Sequence, residues 1–138
     1  MITIVCIGKK HDPLYQPAIA HFEERVKRYT KLAWVLLPHS SLENIEARKE
    51  ESARIMNTIK TTDYVILLDE AGTAATSTDI SHHIDRAQYS SQDLRIVIGG
   101  AYGVDQSVVE RANFCLSFGR AVFPHQLVRL MIIEQLYR

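Results

Sequence analysis

Apolar positions along this chain follow two periods in turn. Residues 2–7 (ITIVCI) form a near-continuous apolar run that stops at Gly8, the pattern of a strand buried on both faces. Over 14–30 the period lengthens: Ile19, Phe22, Val26 and Tyr29 recur at helical spacing, with Glu23, Glu24, Arg25, Lys27 and Arg28 on the other faces. Residues 33–37 (AWVLL) predict a second strand, closed by Pro38. Ser40 followed by Glu43 has capping-box spacing, which predicts a helix running to about Lys60 with Ile45, Ile55, Met56 and Ile59 toward the core. A third strand, 64–68 (YVILL), ends in Asp69-Glu70-Ala71-Gly72, and a helix over 77–89 carries Ile80, Ile84 and Ala87 on one stripe. The fourth strand, 94–98 (LRIVI), gives way to Gly99-Gly100-Ala101-Tyr102-Gly103. Asp105 suits the N-cap of a helix to about Asn113. A fifth strand at 114–118 (FCLSF) and a helix from near Pro124 to Arg138 complete the chain.

Five strands alternating with helices predict an α/β fold, a three-layer arrangement around a mostly parallel sheet. Strand order does not follow from the pattern. At 138 residues and 15.7 kDa, without a linker or an internal repeat, residues 1–138 read as one domain. Cys6 and Cys115 lie in apolar runs, far apart and without C-x-x-C spacing, so they read as reduced core residues and not as a disulfide or a zinc site. The N-terminus lacks a signal peptide's charged region and cleavage site, and no apolar run nears the roughly 20 residues of a membrane helix. The expectation is a cytoplasmic protein. Sixteen Lys and Arg balance sixteen Asp and Glu. That neutrality argues against holding nucleic acid by bulk positive charge and leaves a local basic face open.

In open α/β sheets, ligands bind beyond the carboxyl ends of the strands. Three loops qualify: 68–73, 99–103 and 119–124. The turn GGAYG suits either close backbone approach to a ligand or a tight strand-to-helix connection. It is neither a G-x-G-x-x-G fingerprint nor a P-loop. Asp69 and Glu70 have the composition of an acid–base pair, although solvated or capping acids are common at strand ends. Adjacent His82 and His83 point in different directions and do not suit one metal. His11, His21 and His39 read as surface residues, and Ser77, Ser90 and Ser91 lack a nucleophile-elbow context. The C-terminal stretch is different. From Arg111 to Arg138 the charges are Arg111, Arg120, Arg129 and Arg138 against Glu134 alone. Within 127–138 eight of twelve residues are apolar, which fits a core helix or a dimer-interface helix. Phe123-Pro124-His125 sets a histidine and two arginines beside a candidate ligand loop.

The segments LLDEAG (67–72), IGGAYG (98–103) and LSFGRAVFPHQLVRLMIIEQLYR (116–138), with GKKHDPLYQPAIAHFEERVKRY (8–29), resemble the RlmH family. These are small SPOUT-class methyltransferases of bacterial large-subunit ribosomal RNA. The resemblance implies an α/β-knot fold with a C-terminal trefoil knot, a homodimer, and S-adenosyl-L-methionine as cofactor. It further implies methylation at N3 of pseudouridine 1915 (usual rRNA numbering), in helix 69 of 23S rRNA on the assembled 70S ribosome. By motif, the cofactor residues would be Leu68, Gly100, Gly119, Arg120, Ala121, Val122, Phe123 and Pro124, in the three strand-end loops. Neither metal nor covalent enzyme intermediate is required. His125 and Arg129, beside the cofactor loop in the locally basic stretch, are the expected catalytic residues, with Arg120 or Arg138 contacting RNA phosphate. Family members usually continue past LYR into a tail whose Tyr-His pair helps form the substrate side, whereas this chain stops at Arg138. Two other readings stay open: a SPOUT methyltransferase of tRNA ribose, and a catalytically silent dimeric module that binds a nucleotide-like ligand and the ribosome.

Overall fold

Strand β1 (Ile2–Ile7) buries all six of its residues, which places it inside the sheet with helices on both faces. The computed structural model describes residues 1–138 and pairs β1 with β2 (Leu32–Leu37) on one side and β4 (Leu94–Ile98) on the other. β3 (Tyr64–Ala74) lies between β4 and β5 (Phe114–Ser117), so the order is β2-β1-β4-β3-β5 and every pairing is parallel. Side chains alternate across this sheet and divide the core in two. Ile4, Cys6, Ile66, Leu68 and Ile96 point to one face, where α1 (Gln16–Val26), α3 (Ser77–Tyr89) and α5 (His125–Tyr137) supply Val26, Ile80, Ile132 and Ile133. Val5, Ile7, Val65, Leu67 and Val97 point to the other, against Ile55 of α2 (Asn44–Met56) and Val108 of α4 (Gln106–Arg111). This is the three-layer α/β fold expected from the alternation. No helix is long and apolar enough to cross a membrane.

Several local expectations need correction. Ser40 and Glu43 form no capping box: α2 starts after Glu43 without a side-chain cap, and Ser40 Oγ accepts the Leu42 N–H at 3.0 Å. The helix ends at Met56, short of Lys60, and Ile45 is 69% exposed instead of facing the core. A true capping box opens α3, where Thr76 Oγ1 accepts the Asp79 N–H and the Asp79 carboxylate accepts the Thr76 N–H. Tyr29 lies beyond α1 and points to solvent. β3 does not stop at Leu68. After a register shift, Thr73 and Ala74 pair with Leu116 and Ser117, so Asp69 and Glu70 sit within an irregular strand extension. Gly72 permits it: a Cβ there would lie 2.8 Å from the Cys115 carbonyl oxygen. Cys6 is fully buried, and desolvation pushes its thiol pKa up to about 12, with the Arg129 charge opposing. It is an inert core thiol.

Candidate active site

The carboxyl ends of β3, β4 and β5 meet at a cleft of about 370 Å³, within the size range of small-ligand sites. Leu68, Asp69 and Glu70 come from the first predicted loop, and Gly99 through Gly103 from the second, with Val104 just after it. The third contributes Gly119, Ala121, Val122 and Phe123, with Phe118 just ahead of it and His125 and Val128 following on α5. The strand-end argument and the cleft therefore select the same three segments.

Local geometry explains the glycines. The Gly103 N–H donates to the Gly100 carbonyl at 3.0 Å, and Gly103 has φ +76°, so this is a tight turn as well as a cleft wall. At Gly100 a Cβ would lie 2.7 Å from Glu51 Oε1, which leaves backbone only on that side. The turn is held from behind: the Asp105 N–H donates to Ser52 Oγ at 2.9 Å, and Asp105 caps α4 through the Ser107 N–H. Gly119 has φ +142° and open space around it, and its loop is pinned by the Ser117 hydroxyl, which bonds both the N–H and the carbonyl of Gly119.

Six of the eight residues expected at the cofactor line the cleft: Leu68, Gly100, Gly119, Ala121, Val122 and Phe123. Arg120 and Pro124 do not. Arg120 is exposed beside it, and Pro124 is the N-cap position of α5. His125 opens that helix at the cleft and remains accessible to solvent. Its pKa lies below the ordinary histidine value. Burial is the main cause, followed by the positive Arg129 and by His39, with Glu51 and Glu70 opposing. Near neutral pH its ring is therefore an unprotonated proton acceptor.

Arg129 lies one helical turn further on and is only 1% exposed. Its Nη1 donates to the Lys10 carbonyl at 3.0 Å, and Nη2 donates to those of Ile7 and Gly8, each at 3.2 Å. It does not line the cleft; it ties α5 to the segment after β1. Arg138, thirteen residues beyond His125 and so about 20 Å along the helix axis, is exposed and paired with Glu134. The structure thus brings His125 to the cleft, sets Arg129 beneath it and leaves Arg138 apart.

The sequence pattern missed three participants. Glu51 is buried on α2, one turn from both Ala47 and Ile55; that i, i+4 stripe is the signal that could have found it. His11 is no surface residue, since its ring meets Trp34 edge-on at 4.5 Å and its Nδ1 lies 3.2 Å from Arg129 Nη1. His39 is exposed but stands over Glu51, 3.9 Å from its carboxylate. His82 and His83 do diverge: His83 stacks on Phe114 and bonds the Tyr64 hydroxyl at 2.7 Å, whereas His82 is exposed. Asp69 accepts the Ala71 N–H at 2.9 Å, while Glu70 makes no such local bond.

Ile98, Leu116, Phe118 and Val122 form apolar walls suited to a heterocyclic ring, and Asp69 and Glu70 suit a cationic ligand group. A family described as "Predicted SPOUT methyltransferase" matches residues 1–138. Similar curated proteins are named "Ribosomal RNA large subunit methyltransferase H". The one from Lactobacillus delbrueckii subsp. bulgaricus is 35% identical over 145 residues, covering 99% of this chain and 91% of its own length. Those of Streptococcus suis and Carboxydothermus hydrogenoformans are 37% and 38% identical with the same coverage.

Proposed function

This chain belongs to the SPOUT methyltransferase family, and on that premise we propose that it methylates N3 of pseudouridine 1915 in helix 69 of 23S rRNA, on the assembled 70S ribosome. S-adenosyl-L-methionine is the methyl donor in this reading, and the protein works in the cytoplasm as a homodimer with a C-terminal trefoil knot. The observation that carries it is the convergence of three separate loops on one cleft that includes six of the eight expected cofactor residues. Relatives named as ribosomal RNA large subunit methyltransferases support the substrate class.

The residues present fit such a donor. Backbone approach at Gly100, where no side chain fits, suits hydrogen bonds to an adenine edge, and the apolar walls suit its faces. Asp69 and Glu70 complement the amino and sulfonium charges. Bound there, the donor supplies a methyl group already activated by the sulfonium. The protein's task is orientation and proton removal. His125 would accept the imide proton from N3 and so free the nitrogen lone pair for methylation. Arg129 acts through position: it holds the first turns of α5, and with them His125, against the β1 end. Arg120, exposed at the mouth, contacts RNA phosphate, and Arg138 does so further along α5. Pro124 fixes the entry of the chain into the helix.

Incubation with radiolabelled S-adenosyl-L-methionine and 70S ribosomes, free 23S rRNA or tRNA tests this. Label is expected in 23S rRNA of intact ribosomes, at the N3 position. Label in tRNA alone would replace the reading with a tRNA-ribose methyltransferase. Cofactor binding without any transfer would favour a silent binding module.

A further inference from the structure

A second concavity lies beside the cleft, at the carboxyl ends of β1 and β2. It is an open groove of about 690 Å³ bordered by Gly8, Lys9, Lys10, Pro38, His39 and Gln126. We propose that this groove seats the phosphodiester backbone of the substrate RNA on Lys9, Lys10 and His39, so that one base reaches the cleft past His125. The inference rests on the methyltransferase reading and adds the path of the strand to it.

Three observations carry the assignment. The first is charge. Both lysines and His39 are exposed, and neither lysine ammonium has a carboxylate within ion-pair distance. Among the bordering residues the only acid is Asp12, whose Oδ1 accepts the Leu14 N–H at 2.8 Å in its own turn. On a chain with no net charge, two free lysines at one groove are a local cationic site, and the His39 ring beside them adds a hydrogen-bonding group. The second is rigidity. The 7–10 segment is clamped to α5 by Arg129 on three carbonyls, and Gln126 bonds the Asp12 N–H at 2.9 Å and the Lys10 carbonyl at 3.3 Å. Gly8, at φ +122°, forms the floor: a Cβ there would lie 2.9 Å from Arg129 Nη2 and 3.3 Å from His39 Nε2.

The third joins the groove to the cleft. The Glu51 carboxylate, 3% exposed, accepts the Ser40 N–H on Oε2 at 3.0 Å and faces His39 with the same oxygen. Its Oε1 is buried beside Gly100 and has no hydrogen-bond partner. Glu51 therefore stands between the two sites, one carboxylate oxygen toward His39 of the groove and the other against Gly100 of the cleft. Because β1 lies next to β4 in the sheet, the two sites are neighbours by construction.

The test compares wild type with Lys9→Ala/Lys10→Ala and His39→Ala for binding to fluorescently labelled 70S ribosomes, across a salt series. A Lys31→Ala/Lys60→Ala double variant makes the same charge change at the amino ends of β2 and β3 and serves as the control. Lys9→Ala/Lys10→Ala should weaken ribosome binding by roughly tenfold or more and flatten the log–log salt slope by about 1.4, for two lost contacts to a single strand. His39→Ala should weaken binding in the same direction. Affinity for S-adenosyl-L-methionine should stay at wild type in all variants. Wild-type affinity and slope in Lys9→Ala/Lys10→Ala, equal loss in the control, or no ribosome binding by the wild type would each overturn the groove. Ribosome binding that depends on these lysines without methyl transfer would sink the methyltransferase reading and leave the groove standing. Methyl transfer that ignores them would do the reverse.

Discussion

A guanidinium as deeply buried as that of Arg129 must find acceptors for its charge inside the protein, and it finds them in the carbonyls of Ile7, Gly8 and Lys10. Arg129→Met keeps the volume but leaves those carbonyls without their donors. A loss of about 3 kcal/mol is expected, read as a shifted urea midpoint. Arg129→Lys should recover only part of it, since an ammonium cannot reproduce the planar fork. The same arginine lowers the pKa of His125, second only to burial. If unprotonated His125 is the base, kcat/KM should rise with pH along an acid limb centred below the ordinary histidine value of 6.5. In Arg129→Met that limb should move upward, because a positive neighbour has gone; a limb that stays put would remove Arg129 as its tuner. His125→Ala should lose the limb altogether, with activity down about 100-fold or more.

Helix starts show how elements depend on context. Ser40-x-x-Glu43 and Thr76-x-x-Asp79 have the same four-residue spacing, yet only the second closes as a capping box. The Ser40 N–H is committed to buried Glu51, which holds Ser40 in the approach to α2 instead of at its cap. Thr76→Ala should therefore cost about 1 kcal/mol, and Ser40→Ala less than about half of that, by chemical denaturation. Equal losses would contradict the assignment of the caps. β3 makes the same point for strands. Its apolar run ends at Leu68, but backbone pairing to β5 resumes at Thr73, because Gly72 lets the two chains close at Cys115. Asp69 and Glu70 are thereby presented at the cleft.

For the molecule as a whole, zero net charge conceals a distribution. Free lysines border the groove and an arginine stands exposed at the cleft mouth, so neutrality opposes indiscriminate RNA binding but not recognition of one shaped site. Protonation couples to folding across the domain. His11, His83 and His125, in three different parts of the fold, each have a pKa below 6.5, with burial the largest cause in every case. Between those lowered values and 6.5 the unfolded chain binds more protons than the native one, so stability rises with pH through that window. It is fully present above the unfolded value and is lost as pH falls through the folded ones. Urea midpoints should therefore be lower near pH 5 than at about pH 7.5. A midpoint that increases on acidification would contradict this.

All ten elements were legible in the order of apolar and polar residues, because side-chain period is a local property that burial on one or two faces imposes on successive positions. The three loops that line the cleft were legible as well, since a parallel sheet gathers the carboxyl ends of its strands on one edge. The strand order, the burial of Arg129 against carbonyls more than a hundred residues away, the approach of Glu51 to Gly100 and the groove at Gly8 were decided only by the tertiary structure. Those contacts join residues with no shared period. A guanidinium reads the same in sequence whether it faces RNA or carbonyls, and packing alone decides which it meets.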